Sequence, residues 1–334
     1  MGDPAGIGPE IAVKSLTHSN VHALCRPILI GDAAVIRQTV ALTHSSHKVR
    51  SIAHVHQAPE AEDVISVYDL ANAAPDSFAC GEVSAIAGNA AYEAITTAIS
   101  LAQSGEVDAT VTGPINKQAL RAAGHAFAGH TEIYAHVTET KSYAMLLADR
   151  ELRIIHVTTH VPLRKVCDMI TRERVFAAID MLANFCHSIG IKRPRIGVAG
   201  LNPHAGDGGL FGNEEAVAIA PAIEQAVDSG YDAAGPVPPD TLFCKAKGGL
   251  YDGCVAMYHD QGHIPFKYNG FEWDHAARTM KRVSGVNITL GLPIIRTSVD
   301  HGTAFDIAGQ GVASEEAMVN AIEYAAKMAR TVRA

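Results

Sequence analysis

Residues 257–267 read MYHDQGHIPFK and follow a short apolar run, CVAM at 254–257, that predicts a buried strand. The sequence His259-Asp260-Gln261-Gly262 then lies where this strand would open into a loop. Proteins of the α/β class place their binding and catalytic groups in loops at the carboxyl ends of strands. An imidazole beside a carboxylate suits such a site, although an ordinary loop histidine would give the same pattern.

Two other histidines follow predicted strands in the same way. His160 ends the run IIHVTTH at 154–160, and His204 lies in LNPHAGDGG at 201–209 after another apolar run. Three strand ends can meet at one edge of a sheet, and neutral imidazoles are good ligands for a divalent metal ion. The three positions are too distant in sequence to form a local metal motif. The residues alone therefore leave open a three-histidine metal site or three unrelated loop histidines.

The composition is that of a globular chain. Its 334 residues are 48% apolar and 19% charged, which is enough for a large core divided between two lobes. The net charge of −8 argues against a nucleic-acid surface. No apolar run approaches the roughly 20 residues of a membrane span, and the N-terminus lacks signal-peptide character. Six cysteines without a CxxC pair indicate free thiols, so a cytoplasmic location is expected.

Predicted strands and helices alternate along the first half of the chain. This alternation indicates an α/β fold whose mostly parallel sheets carry helices on both faces. The segment GDPAGIGPE at 2–10 resembles a strand-to-helix turn, with Pro9 near the first helical position and Glu10 at the positive helix end. It lacks the third glycine of a dinucleotide fingerprint. Strands are predicted at 27–31, 49–55 and 109–112, and helices at 32–42 and 82–104.

Several polar residues near predicted element ends suit an anion. Residues 129–132 (GHTE) begin a predicted helix, whose free N–H groups could bind an anion beside His130 and Thr131. Thr131 could equally be a plain helix cap. Lys267, Asn287 and Arg296 are the kinds of group that bind phosphate or carboxylate, although each fits a surface position as well.

The segment 300–311, DHGTAFDIAGQG, resembles the HGSAPDIAGKG cofactor loop of the isocitrate and isopropylmalate dehydrogenases. Those enzymes oxidise a β-hydroxy acid and then release carbon dioxide. The resemblance implies a cofactor site that includes His301, Gly302 and Thr303. It also implies that Asp306 bonds the adenosine ribose hydroxyls and favours NAD over NADP, because a carboxylate repels a 2′-phosphate.

A wider resemblance covers nearly the whole chain. The segments GDPAGIGPE, VTGPINK, GHTE, TTHVPLR, LNPHAGDGG, PPDTLF, YHDQG, VNITLGLP and RTSVDHGTA are similar to those of the 4-hydroxythreonine-4-phosphate dehydrogenase family of vitamin B6 biosynthesis. This implies an isocitrate/isopropylmalate dehydrogenase-like fold, with a cofactor lobe at 1–112 plus 286–334 and a metal, substrate and dimerisation lobe at 113–285. It also implies a homodimer with the active site near the subunit interface.

The same resemblance assigns roles to individual residues. One divalent ion per subunit (Zn²⁺, Mg²⁺, Mn²⁺ or Co²⁺) would be bound by His160, His204 and His259. Lys267 is the candidate for proton transfer or substrate-anion binding, and Asp260 and Asp240 would orient the histidines or metal waters. From local sequence, Asp240 in the predicted rigid loop 237–241 could equally be a turn residue. The implied substrate-binding residues are His130, Thr131, Lys267, Asn287 and Arg296.

Two departures from the family pattern concern the N-terminal end of the chain and the identity of the substrate. Family members have an apolar strand before GDPAGIGPE, so we expect that such a strand is missing from this chain. The segment 271–285 is longer than in the B6 enzymes and resembles the branch acting on D-threonate and D-erythronate 4-phosphate. We expect it to be an inserted loop or lid. The segment has a net positive charge, because it contains Arg278, Lys281 and Arg282 but only two acidic residues, Glu272 and Asp274. A positive segment over the site would disfavour a substrate that carries an ammonium group.

The expected function is therefore NAD- and metal-dependent oxidative decarboxylation of a four-carbon 3-hydroxy acid 4-phosphate. D-threonate or D-erythronate 4-phosphate would give dihydroxyacetone phosphate and carbon dioxide. The main alternative is the 4-hydroxythreonine-4-phosphate dehydrogenase of B6 synthesis. A metal hydrolase and a non-catalytic metal-binding protein are more remote, since neither needs the 300–311 cofactor loop. A phosphate acyltransferase of related architecture is a further alternative, which the three histidines disfavour because such an enzyme does not need them.

Overall fold

The computed structural model describes residues 1–275 and 279–333. Its α-helices are α1 (Gly8–Ser15), α2 (Ser19–Leu24), α3 (Ala33–Leu42), α4 (Ala85–Gln103), α5 (Lys117–Ala122), α6 (His130–Val137), α7 (Leu163–Met169), α8 (Arg172–Ser188), α9 (Ala220–Asp228), α10 (Pro239–Lys247), α11 (His259–Gly270) and α12 (Glu316–Arg333). Its strands are β1 (Leu29–Gly31), β2 (Lys48–Ile52), β3 (Val64–Asp69), β4 (Ala109–Thr112), β5 (Ala144–Ala148), β6 (Arg153–His156), β7 (Arg195–Ala199), β8 (Asp232–Val237), β9 (Gly253–Ala256), β10 (Phe271–Asp274), β11 (Thr279–Val283), β12 (Val286–Leu290) and β13 (Ile295–Val299).

The chain divides into two compact units. Unit 1 consists of Met1–Lys141, Arg282–Val286 and Leu292–Ala326, and unit 2 of Ser142–Lys281, Asn287–Gly291 and Lys327–Ala334. In unit 1, β1, β3 and β2 form a three-stranded parallel sheet in that order, and β4 pairs in parallel with β13. Its main core contains residues of α1, α3, β3 and α12, including Ile11, Ile36, Val67 and Ile322.

In unit 2 the strands follow the order β12, β5, β6, β9, β7 and β8. The pairs from β6 to β8 are parallel, whereas β5 and β6 are antiparallel because only a short turn separates them. The central strands β6, β7 and β9 are almost wholly buried apolar runs, as a sheet covered on both sides requires. The predicted α/β class with mostly parallel sheets is confirmed.

Local signals placed many element ends correctly. Asn116 caps α5, with its side chain accepting hydrogen bonds from the backbone of Gln118 and Ala119. Thr171 caps α8 in the same way, and Pro9 lies in the first turn of α1. Strand β3 was not predicted, although its residues VISVYD are rich in β-branched side chains. Within the described ranges, no helix combines the length and apolar character needed to cross a membrane.

Three predicted loops are regular structure instead. The HDQG segment begins helix α11, where Asp260 in the first turn favours the positive helix end. Residues 237–241 are not a rigid loop either, because Pro239 begins α10 and suits a position without an N–H partner. The expected lid at 271–285 contains β10 and β11, which pair as a two-stranded sheet. Arg278 and the side chains of Lys281 and Arg282 lie outside the described residues.

Candidate functional site

His259 and His160 lie close together in unit 2. Helix α11 presents His259 as its first residue, and the centroids of the two imidazoles are 5.7 Å apart. The Nδ1 atom of His259 is 2.7 Å from Oδ1 of Asp260. A carboxylate accepting from one ring nitrogen leaves the other nitrogen suited to a metal, because it fixes the tautomer. The structure thus joins two of the predicted metal ligands and the carboxylate predicted to orient one of them.

Two histidines that we did not predict extend this cluster inward. The His263 ring stacks on His259 with centroids 3.7 Å apart, and its Nδ1 donates to the His259 carbonyl over 3.0 Å. The His156 ring lies 4.8 Å from that of His263. Burial lowers the pKa of His156 to about 3 and that of His263 to about 4, so both are neutral at pH 7. Gly262 is required here, since a Cβ atom would collide with Nε2 of His156.

The loop that carries His204 has an unusual backbone. Residues 204–208 all have positive φ, including the non-glycine residues His204, Ala205 and Asp207. Such angles are costly for residues with a Cβ atom and persist only where neighbouring structure holds them. Such a run of angles requires support from the rest of the fold.

Glu215 holds the start of this loop. Its carboxylate accepts hydrogen bonds from the backbone N–H groups of Leu201 and Asn202, at 2.8 and 2.7 Å, and from Asn202 Nδ2 at 2.9 Å. Burial opposes ionisation, but these hydrogen bonds prevail and hold the pKa of Glu215 below its usual range. Glu215 begins a π-helical segment, Glu215–Ile219, a feature frequent at functional sites. Sequence reasoning missed this residue because nothing local marks it.

The three predicted metal ligands are not joined into one group. Among residues 1–275 and 279–333, no three His, Cys, Asp or Glu side chains are grouped so that they could hold a metal ion. Three neutral imidazoles are chemically suitable donors, but the structure unites only His160 and His259. The imidazole of His204 instead lies near the ring of Phe211, and the two ring centroids are 6.3 Å apart. Asp240 lies in the first turn of α10.

Unit 1 contains a buried cation. Arg296 on β13 is only 3% exposed, and its Nη2 donates to Thr112 Oγ1 on β4 over 2.9 Å. Its guanidinium carbon lies 5.6 Å from the ring centroid of Tyr134, whose hydroxyl donates to Thr110. Burial lowers the pKa of Arg296 to about 10, so the group stays charged at neutral pH. This packing fixes the position of a buried positive charge.

His130 belongs to the same part of unit 1. It is the first residue of α6, and its Nε2 atom is buried without a hydrogen-bond partner among the described residues. Burial and the charge of Arg296 place its pKa well below the usual range, so the ring is neutral. Thr131 follows it in the first turn of α6, where helix N–H groups favour anions. The N-cap is Gly129, so Thr131 is not the cap residue considered above.

The other two predicted substrate residues lie in unit 2. Lys267 is in the last turn of α11, and its Nζ lies 5.3 Å from the ring centroid of Phe271. Asn287 is on strand β12. Thus the structure groups His130, Thr131 and Arg296 in unit 1, and it places Lys267 on the same helix as His259.

The predicted cofactor loop is a series of short turns. Ile307 N donates to Ala304 O over 3.1 Å, and Gln310 Nε2 donates to Asp306 O over 3.0 Å. Thr303 is buried, whereas the side chain of Asp306 is exposed. An exposed carboxylate on a tightly turned backbone fits the requirements of a ribose-binding loop. His301 and Gly302 precede it, with His301 Nδ1 3.0 Å from Gly302 O.

Comparisons with known proteins place these features in a class of enzymes. Residues 23–325 match the family described as Pyridoxal phosphate biosynthetic protein PdxA, and the chain belongs to this family. It is an oxidoreductase, since the relatives at 45–47% identity are named as dehydrogenases.

Particular relatives cover nearly the whole chain. A protein of Oceanobacillus iheyensis named "Putative D-threonate 4-phosphate dehydrogenase" is 46% identical over 333 residues, 99% of this chain and 97% of its own. A protein of Bradyrhizobium diazoefficiens with the same name is 47% identical, covering 98% of this chain and 95% of its own. The crystal structure of 4-hydroxythreonine-4-phosphate dehydrogenase from Klebsiella pneumoniae is 45% identical with a TM-score of 0.85, covering 98% of this chain and 96% of that one. The predicted family and fold are thereby confirmed.

Proposed function

We propose that this protein is an NAD-dependent dehydrogenase that oxidises and decarboxylates a four-carbon 3-hydroxy acid 4-phosphate. The preferred substrates are D-threonate and D-erythronate 4-phosphate, and the products are dihydroxyacetone phosphate and carbon dioxide. The observation that carries the proposal is the buried Arg296 beside His130 at the start of α6. The names of the relatives from Oceanobacillus and Bradyrhizobium support D-threonate 4-phosphate as a substrate.

Charge supports an anionic ligand at Arg296. A buried guanidinium that remains charged attracts an anionic ligand, and the hydrogen bond to Thr112 reduces the entropic cost of orienting the Arg296 side chain. The neutral His130 leaves its buried Nε2 available to a ligand hydroxyl or phosphate oxygen. We assign substrate binding to Arg296, His130 and Thr131, together with Lys267 and Asn287.

The oxidation removes a hydride from C3 and the proton of its hydroxyl group. NAD, when bound, would supply the acceptor for this hydride, and Lys267 is our candidate to accept the proton or to bind the substrate anion. The resulting 3-keto acid loses C1 as carbon dioxide, and C2 takes up a proton. His301, Gly302, Thr303 and Asp306 would bind the cofactor, with the exposed Asp306 carboxylate accepting hydrogen bonds from the ribose. We assign cofactor binding to the lobe 1–112 plus 286–334, and the metal to the lobe 113–285.

We further propose that His160, His204 and His259 bind one divalent ion per subunit. Such an ion, when bound, supplies positive charge that stabilises negative charge developing on a substrate oxygen. Asp260 orients His259 through their hydrogen bond, and we propose that Asp240 orients a ligand or water. The proximity of His160 and His259 supports this ligand set.

We propose a homodimer on the basis of exposed apolar side chains on helix α11, which carries His259 and Lys267. Ile264 and Tyr268 lie one helical turn apart on α11, and are 67% and 90% exposed. Trp273, which is 56% exposed, follows on β10. Large apolar side chains exposed together mark a surface that another protein covers. We propose that a second copy of this chain covers them beside the helix of His259 and Lys267, and that the protein is cytoplasmic.

The B6 reaction is the second candidate, because the family description and the Klebsiella structure both point to it. Its substrate carries a 2-ammonium group where the sugar acid has a 2-hydroxyl. The discriminating experiment compares kcat/KM for D-threonate 4-phosphate, D-erythronate 4-phosphate and 4-phosphohydroxythreonine, with NAD and added divalent metal. We expect the sugar acids to be preferred. A preference of tenfold or more for the amino substrate, about 1.4 kcal/mol in transition-state binding, would overturn the assignment.

A further inference from the structure

The glycine-rich segment 2–10 contacts the cofactor loop directly. The Glu10 carboxylate accepts a hydrogen bond from Gly309 N over 2.7 Å, and Ile7 N donates to Thr303 O over 3.0 Å. One turn further along α1, Lys14 Nζ donates to Ala313 O over 2.7 Å. All of these residues belong to unit 1. Helix α1 and the turn before it therefore contact the loop at two points, Thr303 and Gly309, and the chain just after it at Ala313.

Glycines in and near this segment permit the close approach. A Cβ atom at Gly6 would lie 2.9 Å from both the carbonyl oxygen and the Cβ of Thr303. Similarly, a Cβ at Gly81 would lie 2.7 Å from the carbonyl oxygen of Phe305, and Gly81 N donates to Ala5 O. Backbone-to-backbone contact at these distances excludes every other residue. The glycines thus serve packing against the cofactor loop.

Glu10 is the unusual member of this contact. It is 2% exposed, and its second oxygen, Oε2, is buried without a hydrogen-bond partner among the described residues. Burying a carboxylate is costly unless its hydrogen bonds offset the loss of water. The described bond to the cofactor loop is a short one, and it joins residues 299 positions apart in the chain. The hydrogen bond from Gly309 N offsets part of the cost of burying this carboxylate.

We propose that Glu10 is a positioning residue for the cofactor. By accepting from Gly309 N, it fixes the end of a turn in which the neighbouring Gln310 side chain donates to Asp306 O. Asp306 is thereby held for the ribose of a dinucleotide. The inference rests on the proposed use of NAD, and it assigns to the GDPAGIGPE segment a supporting role rather than phosphate binding.

The test compares Glu10→Ala and Glu10→Gln with the wild-type protein. The amide oxygen of Gln can still accept from Gly309, whereas Ala cannot. We expect Glu10→Ala to raise the dissociation constant for NAD, measured by titration calorimetry, at least tenfold, and Glu10→Gln to stay within threefold. Hydrogen exchange of residues 302–311 should become faster in Glu10→Ala without any ligand. The kcat at saturating NAD should change less than the NAD affinity.

A matched control separates positioning from general stability. Asp32 is another buried carboxylate in unit 1, and it accepts from Ala34 N and Ala73 N, neither of which belongs to the cofactor loop. Asp32→Ala should lower the melting temperature while leaving NAD affinity unchanged. Equal NAD affinity in Glu10→Ala and wild type, or equal loss in Asp32→Ala, would overturn the proposal. Should wild type fail to bind NAD, the cofactor assignment falls, and unchanged exchange of 302–311 in Glu10→Ala would separately refute the positioning role.

Discussion

The imidazole of His263 lies parallel to that of His259, with an interplanar angle of 10° and centroids 3.7 Å apart. The two side chains are one turn apart on α11, and His263 also donates to the backbone carbonyl of His259. The first residue of a helix is normally prone to fraying, because it lacks part of the helical hydrogen bonding. The stacked ring therefore restricts the orientation of a proposed metal ligand at such an end.

Replacing His263 with Ala should weaken metal binding. Loss of the stack and of the backbone hydrogen bond frees the His259 ring, and supporting contacts of this kind are typically worth tenfold or more in metal affinity. We expect about a tenfold rise in the dissociation constant for Mn²⁺, measured by calorimetry on the metal-free protein. His136→Ala, a change at an exposed histidine of unit 1, serves as the control. Equal Mn²⁺ affinity in His263→Ala and wild type would contradict the prediction.

Replacing Asp306 with Ala should change cofactor choice. The substitution removes charge-assisted hydrogen bonds to the ribose, so NAD binding should weaken by about 1.5–3 kcal/mol. Repulsion of a 2′-phosphate disappears as well, so the preference for NAD over NADP should narrow. Steady-state kinetics with both cofactors measure this ratio, with the exposed Asp63→Ala as a control. An unaltered ratio would show that Asp306 does not contact the ribose.

Glu215→Ala should destabilise the His204 loop. The change leaves the N–H groups of Leu201 and Asn202 without their acceptor, which should cost about 3 kcal/mol in the free energy of unfolding. Urea unfolding measures this loss, and limited proteolysis should cut 201–209 faster. Glu214→Ala is the matched control, because Glu214 accepts only from the Asn202 side chain in the described bonds. A loss as large in the control would mean that Glu215 has no special role.

His156 should make stability depend on pH. Its folded pKa is about 3 against an ordinary value of 6.5, so the unfolded chain binds the extra proton between these values. Stability from this residue is therefore complete above pH 6.5 and declines as pH falls toward 3. The slope is about 1.4 kcal/mol per pH unit for one proton. In His156→Leu, denaturant titrations of metal-free protein at several pH values should show a slope reduced by this amount. If the free energy of unfolding varies with pH in the same way in both proteins, the low folded pKa of His156 is refuted.

Tyr268→Arg should disrupt the proposed dimer. Tyr268 is 90% exposed, so the fold of one chain should tolerate the change, whereas a charge in an apolar interface is costly. Sedimentation velocity should show a shift toward monomer, and the specific activity should fall on dilution. Val312→Arg, at another exposed apolar residue but in unit 1, should leave assembly unchanged. A wild-type protein that is monomeric and fully active would contradict the dimer itself.

Local sequence was sufficient for the elements that depend on neighbouring residues. Strand β4 has the predicted bounds Ala109–Thr112, and it ends where predicted because Gly113 and Pro114 follow it. Asn116 caps α5 as expected, since a cap needs only the two or three residues that follow it. Family resemblance extended this local analysis to the fold and to the class of reaction.

The contacts that organise the site depended on tertiary structure. His263 could be recognised only once 259–270 was known to be a helix, because the loop that we predicted there does not bring residues four apart together. Glu215 holds a loop that begins 14 residues earlier, and Glu10 holds one 299 residues away. Neither spacing has a sequence signature. Such pairs form because folding buries polar groups that must then find partners, and which partners lie within reach is decided by the packed chain.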